Sequence, residues 1–584
     1  MTATERHALV FGATGFIGRR LVLELGRTGV RVTTATRSES SFRRLAAWLA
    51  DHGQADAPDD VRVDFSDPSL VGPDDCDGVT EIYNCAAAFR FGMTEDEARR
   101  ANVDSVRAIV ALASRLPDLR RLVHVSGYRV GGQSASTWGE EQRRAAYRTL
   151  GAYEASKVEA DVVLQTEADR LGVPWTVVNP SAVVGDSATG ESDQYIGLAT
   201  TLKDLWQGTL MAVPGNASTF VPVVAVDHLA RFMTLVPTDE TAEHTSYWLL
   251  DDDTPALPDL VSLIADHYGV RAPRARVPVS LVKRLPQRLT KADPETLTFL
   301  ASDRYPTESA RTFAAQHGLN MPDAGTTIRR WADHLAAHRF GDAPDGVRRF
   351  TTPNGVRTFE LGEPDAPTVV LPGLPINADT WAPVVTELGR ARAVDLPGLG
   401  MSTGDPDDWP AWLAALAPGV RHLVGHSIGA AAALEAASAH PVDRLTLVSP
   451  FFLQARPTQW KPLTHLYLSR VTPERLAQRL TGDTTHAGAL ASSAADLHRG
   501  TAATTARLLA KAASQNWRAD LCARLRRYPG HVHVVHGSED PLTPEGQAVL
   551  DALPNATVSV LVGAGHHPHL THPKDAAHAI GEGA

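Results

Sequence analysis

Apolar and polar residues fall into blocks along this chain, and the block pattern occurs as two separate series. Residues 8–11 (ALVF) are a short unbroken apolar run, followed by a glycine-spaced turn and then RRLVLELGRTG, whose apolar positions recur at helical spacing. Further strands are expected at 30–36, 61–65, 81–89, 121–127 and 173–180, separated by stretches of helical periodicity. Unbroken runs of this kind suit strands buried on both faces, so the first series predicts a doubly wound parallel α/β sheet. Apolar helices at 258–268 and 327–338 then suggest a smaller part over about 187–338. A second series follows, with strands at 356–361, 368–371, 391–395, 531–537 and 557–565, and another leading into Ser427. A long helical insert, including 473–480 and 501–513, interrupts it. The Gly/Pro/Asp cluster at 341–346 reads as a connection over 339–347 between domains at 1–338 and 348–584.

The turn after the first strand is Gly12-Ala-Thr14-Gly15-Phe16-Ile17-Gly18. Gly12 permits the tight turn, Gly15 lets the backbone approach a pyrophosphate, and Gly18 lets helix and strand pack closely. Gly12, Thr14, Gly15, Phe16, Ile17 and Gly18 are therefore candidate cofactor-binding residues, with the phosphates at the helix N-terminus. An acidic residue at the end of the second strand would select the ribose of NAD. That slot holds Thr36 followed by Arg37, and a guanidinium suits a 2′-phosphate, so NADP(H) is the expected cofactor. Glu39, close by, keeps NAD open. Further on, Ser126 follows a strand, and Tyr153 and Lys157 are spaced four apart in a helical segment. One helix face would carry both, and an ammonium beside a phenol favours phenolate, as proton transfer near neutrality requires.

The second series contains Gly425-His-Ser427-Ile-Gly429 between a strand and an Ala-rich helix. Glycines two before and two after the serine allow a strained turn that exposes its Oγ. A serine hydroxyl needs a base, and the base an orienting acid. Asp540 and His566 each follow a later strand, which is the chain order of a Ser, Asp, His set, with Glu539 as the alternative acid.

Composition narrows the partners. The 584 residues are 43% hydrophobic and 21% charged with a net charge of −11, so there is no basic footprint for nucleic acid. Small molecules are the expected partners, and the sequence does not set an oligomeric state. Three cysteines without paired spacing support neither a disulfide framework nor a zinc site. His566, His567, His569 and His572 match no common ligand spacing, so no metal is expected. The apolar pattern starts at Ala8 and no run of 18 apolar residues occurs, which gives the expectation of a cytoplasmic protein without a membrane span.

The first half resembles the extended short-chain dehydrogenase/reductases. VFGATGFIG, NCAAA, Asn102-Val103, HVSG, YEASK, Asn179-Pro180 and FVPVVAVDHLA occur in that family's order between about residues 7 and 338. The resemblance implies a Rossmann-type sheet with a small substrate-binding part, and Ser126, Tyr153 and Lys157 as the catalytic set. It also implies Asp64 near the adenine, with Asn84 to Ala86 and Lys157 near the cofactor. Gly127 stands where a second Ser or Thr is frequent. Asn179 stands where Arg often precedes the proline, which argues against a nucleotide-sugar diphosphate. The second half, from about 348 to 584, resembles the serine α/β-hydrolases. This implies Ser427 as nucleophile, His566 as base, Asp540 as its partner, the Leu374 and Ile428 amides as oxyanion hole, and a helical cap over about 454–530. Pro372 takes a place where many members have His. The joint expectation is an NADP-dependent oxidoreductase acting on a lipid-like, acyl or polyketide-like molecule, fused to a hydrolase of ester, thioester or lactone bonds. An epimerase or dehydratase first half, or a non-catalytic sensor half, are the alternatives.

Overall fold

The structure, a computed structural model, describes residues 5–65, 70–87, 93–133, 138–282, 300–344, 346–455 and 463–582. The end of the expected strand at 81–89, residue 345 of the expected connection and residues 456–462 of the expected cap lie outside the described residues. The chain divides into two compact units, residues 1–205 with 209–335 and residues 336–584 with 206–208.

The first unit is built on strands β1 (His7–Phe11), β2 (Arg31–Thr36), β3 (Asp59–Arg62), β4 (Glu81–Asn84), β5 (Arg121–Val125) and β6 (Trp175–Pro180). Two short ladders pair β7 (Ala182–Val184) with β9 (Val223–Ala225) and β8 (Val213–Pro214) with β11 (Arg276–Val277). With β10 (Thr245–Leu249) the main sheet runs in the order β10-β6-β5-β4-β1-β2-β3, parallel throughout. All residues of β1, β4, β5 and β6 are buried, as helices on both faces demand. The order reverses between β1 and β4, and the crevice at the carboxyl ends there is where such sheets receive ligands. The helix Phe16–Arg27 turns Leu21, Val22 and Leu25 inward, each contributing about 1.5–3 kcal/mol through burial. The helix Ala152–Leu171 is different. It buries Glu154, Lys157, Glu159, Asp161 and Gln165 among its apolar residues and ends at left-handed Gly172.

The second unit adds β12 (Arg348–Thr351), β13 (Thr358–Gly362), β14 (Thr368–Leu371), β15 (Ala391–Val394), β16 (His422–His426), β17 (Arg444–Val448), β18 (Val532–Gly537) and β19 (Ala556–Leu561). Their order is β12-β13-β15-β14-β16-β17-β18-β19, antiparallel at the β12, β13 end and parallel beyond. Between β17 and β18 stand helices Thr464–Leu468, Pro473–Thr481, Ala487–Asp496, Ala502–Ala512 and Gln515–Arg527. The first four share an apolar cluster with Ile376, from the loop after β14, and Leu570, from a short helix after β19. Residues 339–344, expected as a connection, belong to this unit. Phe340 is buried, and Arg339 bonds both Asp379 and Asp496, the latter at 3.0 Å. Among the described residues, no helix is long and apolar enough to cross a membrane.

Candidate active sites

The glycine turn of the first unit has no room for side chains. A Cβ on Gly12 would lie 2.6 Å from the Cys85 carbonyl carbon, and one on Gly18 would lie 2.1 Å from Gly12 O. Thr14 and Gly15 are exposed at the top of the turn, while Phe16 is buried and Ile17 half-buried beneath it. Gly15 caps the helix Phe16–Arg27 without a side-chain bond, which leaves the first-turn amides aimed at an anion site. The residues thus fit a dinucleotide, held by the backbone from Gly12 to Gly18 and flanked by Ala86. Arg37 is exposed at the end of β2. The acidic groups near it are already engaged, since Glu39 pairs with Arg43 and Arg62, and Asp60 bonds Thr34, Thr36 and Arg62. Asp64, exposed, lies two residues beyond β3.

Ser126 follows β5, its amide donating to Val178 O at 2.9 Å. Tyr153 and Lys157 stand on the helix Ala152–Leu171. Lys157 is buried, its Nζ 3.5 Å from Val125 O, so β5 and the helix bring Lys157 against the residue before Ser126. Burial lowers the Lys157 pKa, with Asp161 opposing the shift.

In the second unit Ser427 sits at φ 52°, ψ −111°, a left-handed backbone that costs on the order of 1–3 kcal/mol for a non-glycine residue. The neighbouring glycines make this turn possible. A Cβ on Gly425 would lie 2.4 Å from Gly429 O, and one on Gly429 would lie 2.1 Å from Leu371 O. Ser427 Oγ lies 2.9 Å from His566 Nε2, and His566 Nδ1 lies 2.6 Å from Asp540 Oδ2. Because a carboxylate only accepts, Nδ1 carries the ring proton and Nε2 offers its lone pair to the serine. Asp540, not Glu539, makes this bond. Gly373 packs so tightly that a Cβ there would lie 2.7 Å from Ser427 Cβ, which sets the following residue, Leu374, next to the serine. Ile428 opens the helix after it.

Comparison with known proteins gives a family to each unit. The male sterility protein family matches residues 10–233, and the alpha/beta hydrolase family matches residues 368–579. A pimeloyl-acyl-carrier-protein methyl ester esterase of Aromatoleum aromaticum is 30% identical over 247 residues, 37% of this chain and 96% of that protein. The chain is an extended short-chain dehydrogenase/reductase joined to an α/β-hydrolase. A farnesyl-dihydroquinoline-oxide ketoreductase of Stigmatella aurantiaca is 25% identical over 46% of this chain and 75% of that protein. An N-formylmaleamate deformylase of Pseudomonas putida is 36% identical over 17% of this chain, which spans only 42% of that protein. The reductase domain is of the nicotinamide-binding type and the hydrolase domain is esterase-like.

The sequence reading does not single out Asp161, His124 and Arg62 of the reductase domain. In the hydrolase domain His426 donates from Nε2 to His566 O at 2.9 Å, and His569 stacks on Trp381 with ring centroids 4.3 Å apart. His426, His567 and His569 bring ring nitrogens within 4.8 Å of one another. Burial, before any other cause, lowers all three pKa values, His426 to about 3. Three neutral imidazoles can serve as a ligand set, and no metal is assigned to them. They instead form a neutral packed support beneath His566. The cap is held by a polar network, in which Asp496 binds Arg339 and, at 2.6 Å, Asn377, while Asp379 binds Arg339 and Arg348.

Proposed function

We propose that this chain is a cytoplasmic bifunctional enzyme. Its reductase domain interconverts a carbonyl and an alcohol with NADP(H), and its hydrolase domain cleaves an ester, thioester or lactone on a lipid-like, acyl or polyketide-like small molecule. The observation that carries the reading is the hydrogen-bonded line Ser427, His566, Asp540 at a strained strand-to-helix turn. In it His566 takes the Ser427 proton as Oγ attacks the acyl carbon. The Leu374 and Ile428 amides receive the developing oxyanion, and His566 returns the proton to the leaving group. Water then repeats the sequence on the acyl-enzyme.

In the reductase domain the nicotinamide, when bound, supplies or accepts a hydride. The chain's own part is to orient the substrate oxygen at Ser126 and to deliver a proton from Tyr153, with Lys157 beside it favouring the phenolate. Two relatives carry names with matching chemistry, a ketoreductase and a methyl ester esterase. Arg37, exposed beside acidic groups already paired, supports NADP(H) over NAD(H). The test is double. Ser427 labels with a fluorophosphonate and the chain hydrolyses p-nitrophenyl butyrate, and NADPH is consumed with an aliphatic aldehyde such as decanal. Labelling at a residue other than Ser427, or no NADPH consumption across a carbonyl panel, overturns the corresponding half.

A further inference from the structure

The buried side of the Tyr153/Lys157 helix carries a group that the reduction above does not use. Asp161 lies four residues after Lys157 and eight after Tyr153, so all three fall along one helix face. It is 0% exposed, and neither carboxyl oxygen has a well-formed hydrogen bond among the described residues. The groups facing it are the Ser126 hydroxyl, the Lys157 ammonium and, from β5, His124 Nε2 at 3.8 Å. Cys85, after β4, also acts on Lys157.

The proton on His124 can be placed from its partners. The Ala86 amide donates to Asn84 Oδ1 at 3.0 Å, so the amide nitrogen of Asn84 is the atom that meets His124 Nδ1 at 3.0 Å, and it donates. Nδ1 therefore holds a lone pair and the ring proton sits on Nε2, towards Asp161. Burial lowers His124 to about 3, which keeps the ring neutral and leaves Lys157 as the cation facing Asp161. A polar line thus runs from Ala86, beside the Gly12 turn, through Asn84 and His124 to Asp161 and Lys157. An isolated buried carboxylate is unstable without a cation or a proton, and Asp161 has access to both.

We propose that Asp161 is a positioning residue of the reductase site, the buried partner that keeps Lys157 protonated and resupplies its proton. The proposal rests on the reductase reading given above. Once hydride has reached the carbonyl carbon, the substrate alkoxide takes the Tyr153 proton. The tyrosinate takes one from the Lys157 ammonium, and the Lys157 amine takes the proton of the Asp161 carboxyl. The sum is one proton moved from Asp161 to the product alcohol, restored from solvent by the reverse path. Burial pushes the Asp161 pKa up to about 7 while the Ser126 hydroxyl and then Lys157 hold it down, so the carboxyl can exchange a proton near neutrality.

An infrared pH titration of the full chain without cofactor tests the coupling directly. A buried protonated carboxyl band is expected to titrate near neutral pH, to vanish in Asp161→Asn and to change frequency in Asp161→Glu. Lys157→Met is expected to raise its midpoint by about one pH unit or more. Absence of the band, or a midpoint unmoved in Lys157→Met, overturns the proposal, and neither depends on Asp161→Asn folding. In turnover with NADPH and decanal, Asp161→Asn lowers kcat about tenfold. It also moves the alkaline fall of activity about one unit towards acid, because Lys157 deprotonates earlier without the carboxylate. NADPH affinity stays the same, and Asp161→Glu restores part of the shift. A lower kcat with an unshifted profile shows a merely structural residue and overturns the proposal. Tyr153→Phe separates the two readings, since full activity there overturns the reductase site itself, whereas loss there with an unshifted Asp161→Asn profile overturns only the role of Asp161.

Discussion

The reactions proposed for the Ser427 and Tyr153 sites each require a proton transfer, and the two sites are built in opposite ways. Around Ser427 the reacting groups already touch, with 2.9 Å and 2.6 Å separating serine, imidazole and carboxylate, and the serine is held in a strained turn that only flanking glycines permit. Around Tyr153 the groups share a helix face, and the tuning comes from burial, with Lys157 lowered and Asp161 raised. The difference follows from what each reaction lacks. Hydrolysis needs only substrate and water from outside, so its groups can be bonded to one another in advance. Reduction needs a cofactor between them, so on this reading the chain prepares a glycine cradle and a buried, polar helix face.

The sharpest way to break this comparison is at the preassembled site. Ser427→Ala and His566→Ala are each expected to lower hydrolysis of p-nitrophenyl butyrate by about 10⁴-fold or more, and the double variant by little beyond either single one, because the pair acts as a unit. Additive losses would show that the 2.9 Å contact is not used in the reaction. At the other site, Tyr153→Phe keeps the ring and removes only the proton, so NADPH-dependent decanal reduction should fall about 10²-fold with NADPH affinity nearly unchanged. A matching loss of affinity would mean that the tyrosine holds cofactor and does not serve as acid.

The same contrast decides what could be read from the sequence. Gly12 to Gly18, YEASK and the glycines around Ser427 are local patterns whose spacing is fixed by backbone approach, and each is found at the strand-to-helix or helix position its spacing suggests. The strand β12 gave no comparable signal, since Arg348–Thr351 has little apolar run and owes its place to antiparallel pairing with β13. Asp161 was visible as one more residue at helical spacing from Lys157. Its significance depends on burial against β5, which a charged letter at i+4 does not announce. His426 ends β16, while His567 and His569 lie about 140 residues later beyond β19, so the three meet only through the sheet order. Arg339 lay in a Gly/Pro/Asp-rich stretch that reads as a tether, yet it pairs with carboxylates far along the chain.

That last pairing yields a stability prediction. The cap is secured through buried charge, so its loss should register in folding before it registers in chemistry. Arg339→Ala leaves Asp496 with Asn377 and the more distant Arg499 at 4.0 Å, and Asp379 with Arg348, each short of a close cation contact. Truncating one partner of a buried pair costs about 3–5 kcal/mol. Urea unfolding of the full chain, followed at the hydrolase transition, should show a loss in that range. A loss below about 1 kcal/mol would mean that the cap is held by its apolar cluster with Ile376 and Leu570 alone.

The smallest effect is expected at the edge of the cofactor cradle, where the reductase site meets solvent. Arg37 is exposed, and a guanidinium there gains from a 2′-phosphate only what high-dielectric screening leaves, so NADPH should bind about tenfold more tightly than NADH. Arg62 adds little, because Asp60 and Glu39 already occupy it. Arg37→Ala should remove most of the preference by weakening NADPH while leaving NADH unchanged, whereas Arg62→Ala should leave Glu39 with Arg43 alone and so favour NADH slightly. Titrating both cofactors against wild type and the two variants, at about 0.05 M and 0.5 M salt, checks the argument twice. An Arg37 contact with phosphate weakens with salt, whereas a preference set by packing does not. Equal affinities in the wild type at low salt would remove the case for NADP(H), and would point to Glu39, released from its arginines by the bound ribose, as the group that selects the cofactor.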